Sequence, residues 1–332
     1  MTGSDFAVVS LRGDVPQLDD ASDDAVGPFR QLVLDPARGS EALIEAVADA
    51  EIATPWILVG GFDHHEVAAH LVARVLEGAI GVFGLAGVVL EGTQIPDGIR
   101  EHEVPAAVTT DDVAASVRSL AADIAAWGPR VPEPWARVIA SSRTDVAVRA
   151  TLARRALADD PAYRPRALTP EQLALLRDVA RRIVPQGEGA TIDLAARLDR
   201  MIEAGESDGW RPTGMSTDVE AYRAGLDALA AIWMRGAAAQ DAVIRRVIDG
   251  DAPSGAVLTA DQLSLWFEDA RNDLARLWLS HPASLARVGY SGFATGGTGP
   301  EPAGYLVLAA GEREEWEPGE LGRLGAAKGS TA

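Results

Sequence analysis

The chain has 332 residues, of which 47% are hydrophobic and 24% charged, and its formal net charge at pH 7 is −19. This length is enough for two domains, and the composition is that of a globular protein. An acidic protein repels phosphates, so nucleic acid is not expected as a partner. The sequence contains no cysteine, which excludes disulfides, thiolate nucleophiles and cysteine-ligated metals.

The first 28 residues form an acidic segment with a cluster of aspartates between positions 14 and 24. It lacks the basic and apolar regions of a secretory signal. The most apolar run of the chain, Gly78–Leu90, is too short to cross a bilayer, which needs about 20 residues. We therefore expect a soluble, cytoplasmic protein without membrane insertion.

Residues 29–160 have the pattern of a small α/β or α+β domain of unknown role. Three short apolar runs, FRQLVLD, WILVGGF and AGVVLEG, each end in a turn or polar residue, which is typical of strands. Helical stretches are predicted between them at Ser40–Ala50 and at about His64–Leu76.

Residues 161–297 have an almost wholly helical pattern. The expected fold is thus a predominantly α-helical C-terminal domain preceded by the small N-terminal domain. The boundary is predicted near DDPAYRPRA, where two prolines and several charges interrupt the helical periodicity. Residues 298–332 are expected to form a Gly-rich tail.

Two helices in this region are predicted to begin with similar phrases, LTPEQL and LTADQL. In the first, Thr169 can cap the helix while Gln172, three residues on, reaches back to the cap. Thr259 and Gln262 have the same spacing in the second. Both phrases therefore predict a capping box.

The stretch FDHHEVAAH raises the question of a zinc site. A zinc-binding helix of this kind needs two histidines at i and i+4, so that both face one metal. His65 and His70 are instead five residues apart, about 140° around a helix. The favoured interpretation is a helix start, with Asp63 as cap and Glu66 at the third position. A stand-alone metal-dependent enzyme that uses His64, His65, Glu66 and His70 is the alternative.

Arginines are concentrated in one part of this acidic chain. They are Arg149, Arg154, Arg155, Arg164, Arg166, Arg177, Arg181 and Arg182. The planar guanidinium group suits interfacial ion pairs. Two interpretations remain open, a solvated helix face and a docking surface.

Three blocks between residues 163 and 297 resemble the subunit 3 (gamma, small-subunit) family of gluconate 2-dehydrogenase. The first is YRPRALTPEQLALLRDVARRIVPQGEG, a capped helix that ends in an R-I-V-P sequence. The second is DGWRPTGMSTDVEAYRAGLDALA, in which a Trp–Arg turn precedes a helix. The third is LWFEDARNDLARLWLSHPASLARVGYSGFATGG, a long helix followed by a His–Pro turn and a Gly- and aromatic-rich loop.

The resemblance implies a helical accessory subunit that has no cofactor of its own. Members of the family associate with a large FAD-dependent oxidoreductase of the glucose–methanol–choline type, which oxidises a sugar, sugar acid or polyol, and a cytochrome often accepts the electrons. Aromatic and arginine side chains anchor interfaces. The expected partner-binding residues are therefore Trp210, Arg211, Trp278, His281, Pro282, Tyr290 and Phe293.

No catalytic residue is assigned, because the sequence contains no G-x-S-x-G elbow, P-loop or G-x-G-x-x-G fingerprint. Two features depart from the family pattern. Many members begin with a twin-arginine export signal, which is not visible here, and a long unmatched region precedes residue 163. A periplasmic or membrane-associated location is thus expected only if a partner carries the protein there. A soluble scaffold protein that has lost its enzyme partner is a further alternative.

Overall fold

The computed structural model describes residues 7–13, 30–39, 42–43, 46, 56–59, 65–77, 85–90, 100–104, 109–187, 189–206, 216–253, 258–295 and 305–319. The chain divides into two compact units. The first comprises Met1–Ala158 together with His281–Ala332, and the second is Asp159–Ser280. The predicted fold class is confirmed, since a mixed N-terminal part precedes a predominantly helical one. Residues 281–297, which the sequence pattern places in the helical domain, cluster with the first unit.

Five strands of the first unit form a wholly parallel sheet. They are β1 (Ala7–Leu11), β2 (Arg30–Leu34), β3 (Trp56–Val59), β4 (Leu85–Leu90) and β5 (Arg100–Val104), in the order β2-β1-β3-β4-β5. The three runs predicted as strands are β2, β3 and β4. Parallel neighbours need crossover connections, which usually place helices on both faces of the sheet. The N-terminal domain is therefore of the α/β type.

The interior strand β1, which lies between β2 and β3, is buried on both faces, and none of its five residues is more than 4% exposed. On one face, Val9 and Leu58 share a core with Leu71 of helix α1, which spans His65–Leu76. Helix α2 (Thr110–Trp127) packs against β3, β4 and β5. The sequence pattern does not predict β1, which lies inside the segment described only as acidic.

The first unit also contains helices α3 (Glu133–Ala140) and α4 (Val146–Arg155) and, near its C-terminal end, helix α10 (Pro282–Val288) and a 3-10 turn at Gly292–Thr295. Trp135 of α3, Leu152 of α4 and Ala286 of α10 belong to one core. The ring of Phe293 packs on this core, with its centroid 6.4 Å from that of Trp135.

In the second unit the structure describes helices α5 (Pro170–Ile183), α6 (Leu194–Glu203), α7 (Asp218–Ala230), α8 (Ala237–Ile248) and α9 (Ala260–Ser280). Their core is formed by apolar side chains such as Leu176, Leu198, Leu226 and Leu274, all fully buried. None of the helices in the described ranges is long and apolar enough to cross a membrane.

Both predicted capping boxes are confirmed. The Gln172 N–H donates to Thr169 Oγ1 at 3.2 Å, and the Thr169 N–H donates to Gln172 Oε1 at 3.0 Å. Thr259 and Gln262 repeat the pair of bonds at the same distances. Each box satisfies two backbone N–H groups that helical hydrogen bonding leaves unpaired.

Candidate partner-binding surface

The seven residues predicted to bind a partner do not share one environment. Trp210 and Arg211 lie outside the described residues. Trp278, on α9, is half-buried and packs against the core of the second unit. The other four residues belong to the first unit.

His281 and Pro282 are enclosed within the fold. His281 is only 1% exposed, and its Nδ1 accepts a hydrogen bond from the Ala283 N–H at 3.1 Å, so that it caps α10. Pro282 occupies the first helical position, where the missing N–H of proline costs nothing. The His–Pro pair thus starts a helix, and its side chains are not exposed to a partner.

Tyr290 is, in contrast, an exposed side chain just beyond α10. It is 54% exposed, and Val288, at the end of the helix, is 49% exposed. A Cβ built on Gly292 would come within 2.4 Å of Tyr290 Cζ. Because Gly292 has no side chain, the Tyr290 ring can lie directly against its backbone.

A second pair of exposed apolar residues follows in the segment 305–308. Leu306 is 87% exposed and Leu308 86%, whereas Tyr305 and Val307 are half-buried. Both leucines therefore face solvent. The sequence pattern assigns these residues only to a Gly-rich tail and gives no sign of an exposed apolar pair.

Specific contacts hold this segment against the loop that follows α10. The Tyr305 hydroxyl donates to Ser291 Oγ at 3.1 Å, and Arg313 Nη2 donates to the Gly289 carbonyl at 3.3 Å. The Val307 N–H donates to Glu314 Oε1 at 2.8 Å. Burial raises the pKa of the Tyr305 phenol above its ordinary value.

A group of packed side chains joins the same segment to the rest of its unit. The Tyr305 and Trp316 rings pack with centroids 5.4 Å apart, and the Arg143 guanidinium lies 4.9 Å from the Trp316 ring. Val288, Tyr290, Leu306 and Leu308 thus lie on one anchored part of the first unit. We call these four residues the C-terminal apolar surface. Large exposed apolar patches mark interaction sites, and these four side chains are the candidates for such a patch in this unit.

Several residues of the arginine-rich stretch are used inside the fold. Arg177 pairs with Asp193 at 2.7 Å, and Arg182 with Asp241 at 2.6 Å. Arg149 is half-buried, its Nη1 donates to the Ala140 carbonyl at 3.3 Å, and burial lowers its pKa. These three arginines make contacts within their own units. They therefore fit neither of the two interpretations, a purely solvated helix face or a free docking surface.

Asp199 is a fully buried carboxylate that holds the chain segment beginning at Tyr163. This residue was not identified from the sequence. Asp199 Oδ2 accepts from the Tyr163 hydroxyl at 2.6 Å and from the Arg166 N–H at 2.7 Å. Its Oδ1 accepts from the N–H groups of Ala167 and Leu168, at 3.2 and 2.8 Å. One side chain on α6 therefore fixes the chain that enters α5.

The histidine cluster is described only in part. His65 is the first residue of α1, and Glu66 and His70 are exposed on that helix, while His64 lies outside the described residues. In the ranges that the structure covers, no group of three or more His, Asp or Glu side chains could hold a metal ion. His65 and His70 lie on one helix, and five residues correspond to about 140° of rotation around a helix axis.

The strand order gives a second location to consider. The connection from β1 leads to β2 on one side, while β3 lies on the other side of β1. In open α/β sheets, ligands bind beyond the carboxyl ends of the strands where the order reverses in this way. Arg12 follows β1 at this edge, and α1 begins at His65 shortly after β3. Residues 60–64 between β3 and α1 lie outside the described residues.

Comparison of the chain with protein-family models, with curated proteins and with solved structures finds no match.

Proposed function

We propose that the protein is a non-catalytic accessory subunit that binds and stabilises the large FAD-dependent subunit of a sugar, sugar-acid or polyol dehydrogenase. The C-terminal apolar surface is the observation that supports binding of a partner, and the three family-like blocks support its identity. FAD and the redox chemistry belong to the glucose–methanol–choline type subunit. A cytochrome is a further candidate partner of the complex.

Leu306 and Leu308 are the most exposed residues of this surface. Burying a leucine side chain fully is worth about 1.5–3 kcal/mol, and more than four-fifths of each side chain is still exposed. A partner that covers both gains roughly 3–6 kcal/mol before the cost of association. Tyr290 adds an aromatic ring, a side chain that often anchors interfaces.

The contacts of Tyr305 and Arg313 fix the position of this surface in the absence of a partner. A surface that is already ordered loses little conformational entropy on binding. The buried His281–Pro282 turn contributes indirectly, because it starts the helix that leads to Val288 and Tyr290.

The test is co-expression with a large flavoprotein of this type encoded beside the gene, followed by affinity purification through the present chain. The wild type should retain the flavoprotein, whereas the double variant Leu306→Ser/Leu308→Ser should recover at least about tenfold less, since the loss of 3 kcal/mol corresponds to more than a factor of ten. Ile248→Ser is the control, since Ile248 is an exposed apolar residue of the second unit.

Two unfavourable outcomes have different meanings. A flavoprotein that purifies alone, fully stable and active, contradicts the accessory role. Equal recovery with the wild type and with the double leucine variant contradicts the assignment of the surface and leaves the accessory role in place.

A second candidate function is a metal-dependent enzyme that uses His64, His65, Glu66 and His70. The strand order favours it, since α1 follows β3 at the edge where open α/β sheets bind ligands. Metal analysis of the purified chain provides the test. About one metal per chain, lost in His70→Ala, supports this function, and less than about 0.1 per chain argues against it.

A further inference from the structure

The strand β2 lies at one edge of the parallel sheet, and its one neighbour among the described strands is β1. The Arg12 N–H, just after β1, donates to the Leu34 carbonyl at 2.7 Å. In a strand the backbone groups of successive residues point to opposite sides, so Leu32 and Leu34 both face β1. The N–H and C=O groups of Gln31 and Val33 therefore point away from the sheet.

The two edges of the sheet differ in their sequences. Unpaired backbone groups at an edge are a template for pairing with another chain, and proteins usually protect such an edge with charged residues. The opposite edge strand, β5, has the sequence REHEV, in which four consecutive residues are charged or titratable. The strand β2 has the sequence RQLVL, with no charged residue after its first position. The edge at β2 therefore lacks the protection that β5 has.

Two copies of β2 can pair with each other in an antiparallel register that uses all of these outward groups. When Leu32 lies opposite Leu32 of a second copy, Gln31 of each chain lies opposite Val33 of the other. Residues whose backbone groups face each other across an antiparallel pair exchange two hydrogen bonds. Both Gln31–Val33 pairs of the register are of this kind, so the four outward groups of each chain are satisfied.

The apolar side chain at the centre of β2 fits the same register. Leu32 is half-buried and packs against the core that contains Leu34. A two-fold axis perpendicular to the sheet keeps the two copies of Leu32 on one face, with their Cα atoms about 4.5 Å apart. Each leucine then covers the part of the other that solvent reaches in a single chain.

The charges along the two edge strands also favour β2. The charged residues of segment 30–35 are Arg30 at its start and Asp35 at its end, so antiparallel pairing brings unlike charges to the same place. Pairing of β5 with itself about its central residue, His102, places Glu101 opposite Glu103 of the second copy. Like charges directly opposite each other are destabilising.

We infer that two copies of the chain associate through β2, so that their parallel sheets join into one continuous sheet. The same strand contributes both sides of the interface, which makes the assembly a closed two-fold dimer. This dimer requires neither the C-terminal apolar surface nor a flavoprotein, and it stands whether or not the protein is an accessory subunit.

A cross-linking experiment on the full chain tests the register. The sequence contains no cysteine, so one introduced cysteine reports on one position. In Leu32→Cys the paired Cα atoms lie near the short end of the range of about 4.4–6.8 Å that a disulfide spans. Mild oxidation should convert most of this variant into a covalent dimer. His102→Cys, at the centre of the other edge strand, is the matched control and should remain largely monomeric in denaturing electrophoresis.

Sedimentation equilibrium measures the association itself. At micromolar concentrations the wild type should have twice the mass of one chain. Val33→Pro removes an N–H that points away from β1, a position where an edge strand tolerates proline. The dimer then loses one hydrogen bond in each pair, so its dissociation constant should rise at least about tenfold. Val33→Thr keeps the N–H and the β-branched shape and should leave the dissociation constant unchanged.

Three results would overturn the inference. One is a wild type that sediments as a monomer throughout the micromolar range, or as open-ended oligomers larger than a dimer. Another is oxidation of Leu32→Cys no faster than that of His102→Cys. The third is a dimer of Val33→Pro as tight as that of the wild type, when circular dichroism shows that the variant is folded. If Val33→Pro does not fold, the two cysteine variants decide.

Discussion

The backbone of Gly225 in α7 lies directly against the indole ring of Trp266 in α9. A Cβ built on Gly225 would be 2.1 Å from Trp266 Cδ2, far inside any possible contact. The same indole meets the edge of the Tyr222 ring, with centroids 5.9 Å apart and planes at 82°. Glycine in a helix interior costs roughly 1 kcal/mol relative to alanine, and the close approach of the two helices explains why it stands here.

Gly225→Ala should therefore destabilise the second unit despite the higher helix propensity of alanine. Trp266 is buried and cannot move freely, so the added methyl group overpacks the core, which typically costs about 1–3 kcal/mol. Urea denaturation followed by helical circular dichroism measures the loss in the free energy of unfolding. In a Trp266→Leu background the same substitution should be neutral or favourable, and an equal loss in both backgrounds would show that the ring is not the cause.

The buried carboxylate of Asp199 leads to a second stability prediction. Asp199→Asn replaces one accepting oxygen by an NH₂ group, which faces donors such as the Tyr163 hydroxyl or the Leu168 N–H. Unsatisfied buried donors cost about 1–3 kcal/mol each, so a total loss of roughly 2–5 kcal/mol is expected. Tyr163→Phe removes one hydrogen bond and should cost only about 1 kcal/mol. A smaller effect for Asp199→Asn than for Tyr163→Phe would contradict the assigned role of the carboxylate.

Local signals made some elements predictable from the sequence. A capping box depends only on residues three positions apart, so the pairs Thr169–Gln172 and Thr259–Gln262 were enough to predict both boxes. The strands β2, β3 and β4 coincide with apolar runs that are closed by turn or polar residues. The parallel order of the sheet and the role of β1 were not predictable, because strand pairing joins residues far apart in the chain.

The candidate site shows the limit of composition-based reasoning. His281 and Tyr290 both occur in a block rich in aromatic and polar residues, yet His281 is buried as a helix cap and Tyr290 is exposed. Burial is set by packing against distant residues and is not visible in the local pattern. For the same reason the exposed leucines Leu306 and Leu308 were not singled out within the segment that is expected to be a Gly-rich tail.

The two capping boxes allow a matched comparison, because only one of them is part of a wider network. Gln172 is buried, and its Nε2 also donates to Asp227 Oδ1 at 2.8 Å. Among the residues that the structure describes, Gln262 makes only the cap bonds with Thr259. Gln172→Ala should lower the free energy of unfolding by about 2–3 kcal/mol and Gln262→Ala by about 1 kcal/mol. Urea denaturation of both variants tests this. Equal losses would mean that the contact between α5 and α7 adds nothing.

Two tyrosines of the second unit predict how its stability depends on alkaline pH. Burial and the hydrogen bond to Asp199 raise the pKa of Tyr163, and burial and Asp273 raise the pKa of Tyr222, both from an ordinary value of 10.0. Below about pH 10 both states keep these protons, so the stabilisation is fully present. Above about pH 10 the two phenols lose their protons in the unfolded chain but keep them in the folded unit. The free energy of unfolding therefore falls as the pH rises toward the pKa of the folded state.

The expected slope is about 1.4 kcal/mol per pH unit for each tyrosine. Other basic groups interfere little, because Lys328 is the one lysine of the chain and arginines stay charged up to about pH 12. Urea denaturation between pH 8 and pH 11 measures the effect. Tyr163→Phe/Tyr222→Phe should be less stable than the wild type at pH 8 but should lose much less stability at pH 11. If the double variant loses as much as the wild type, alkaline unfolding has another origin.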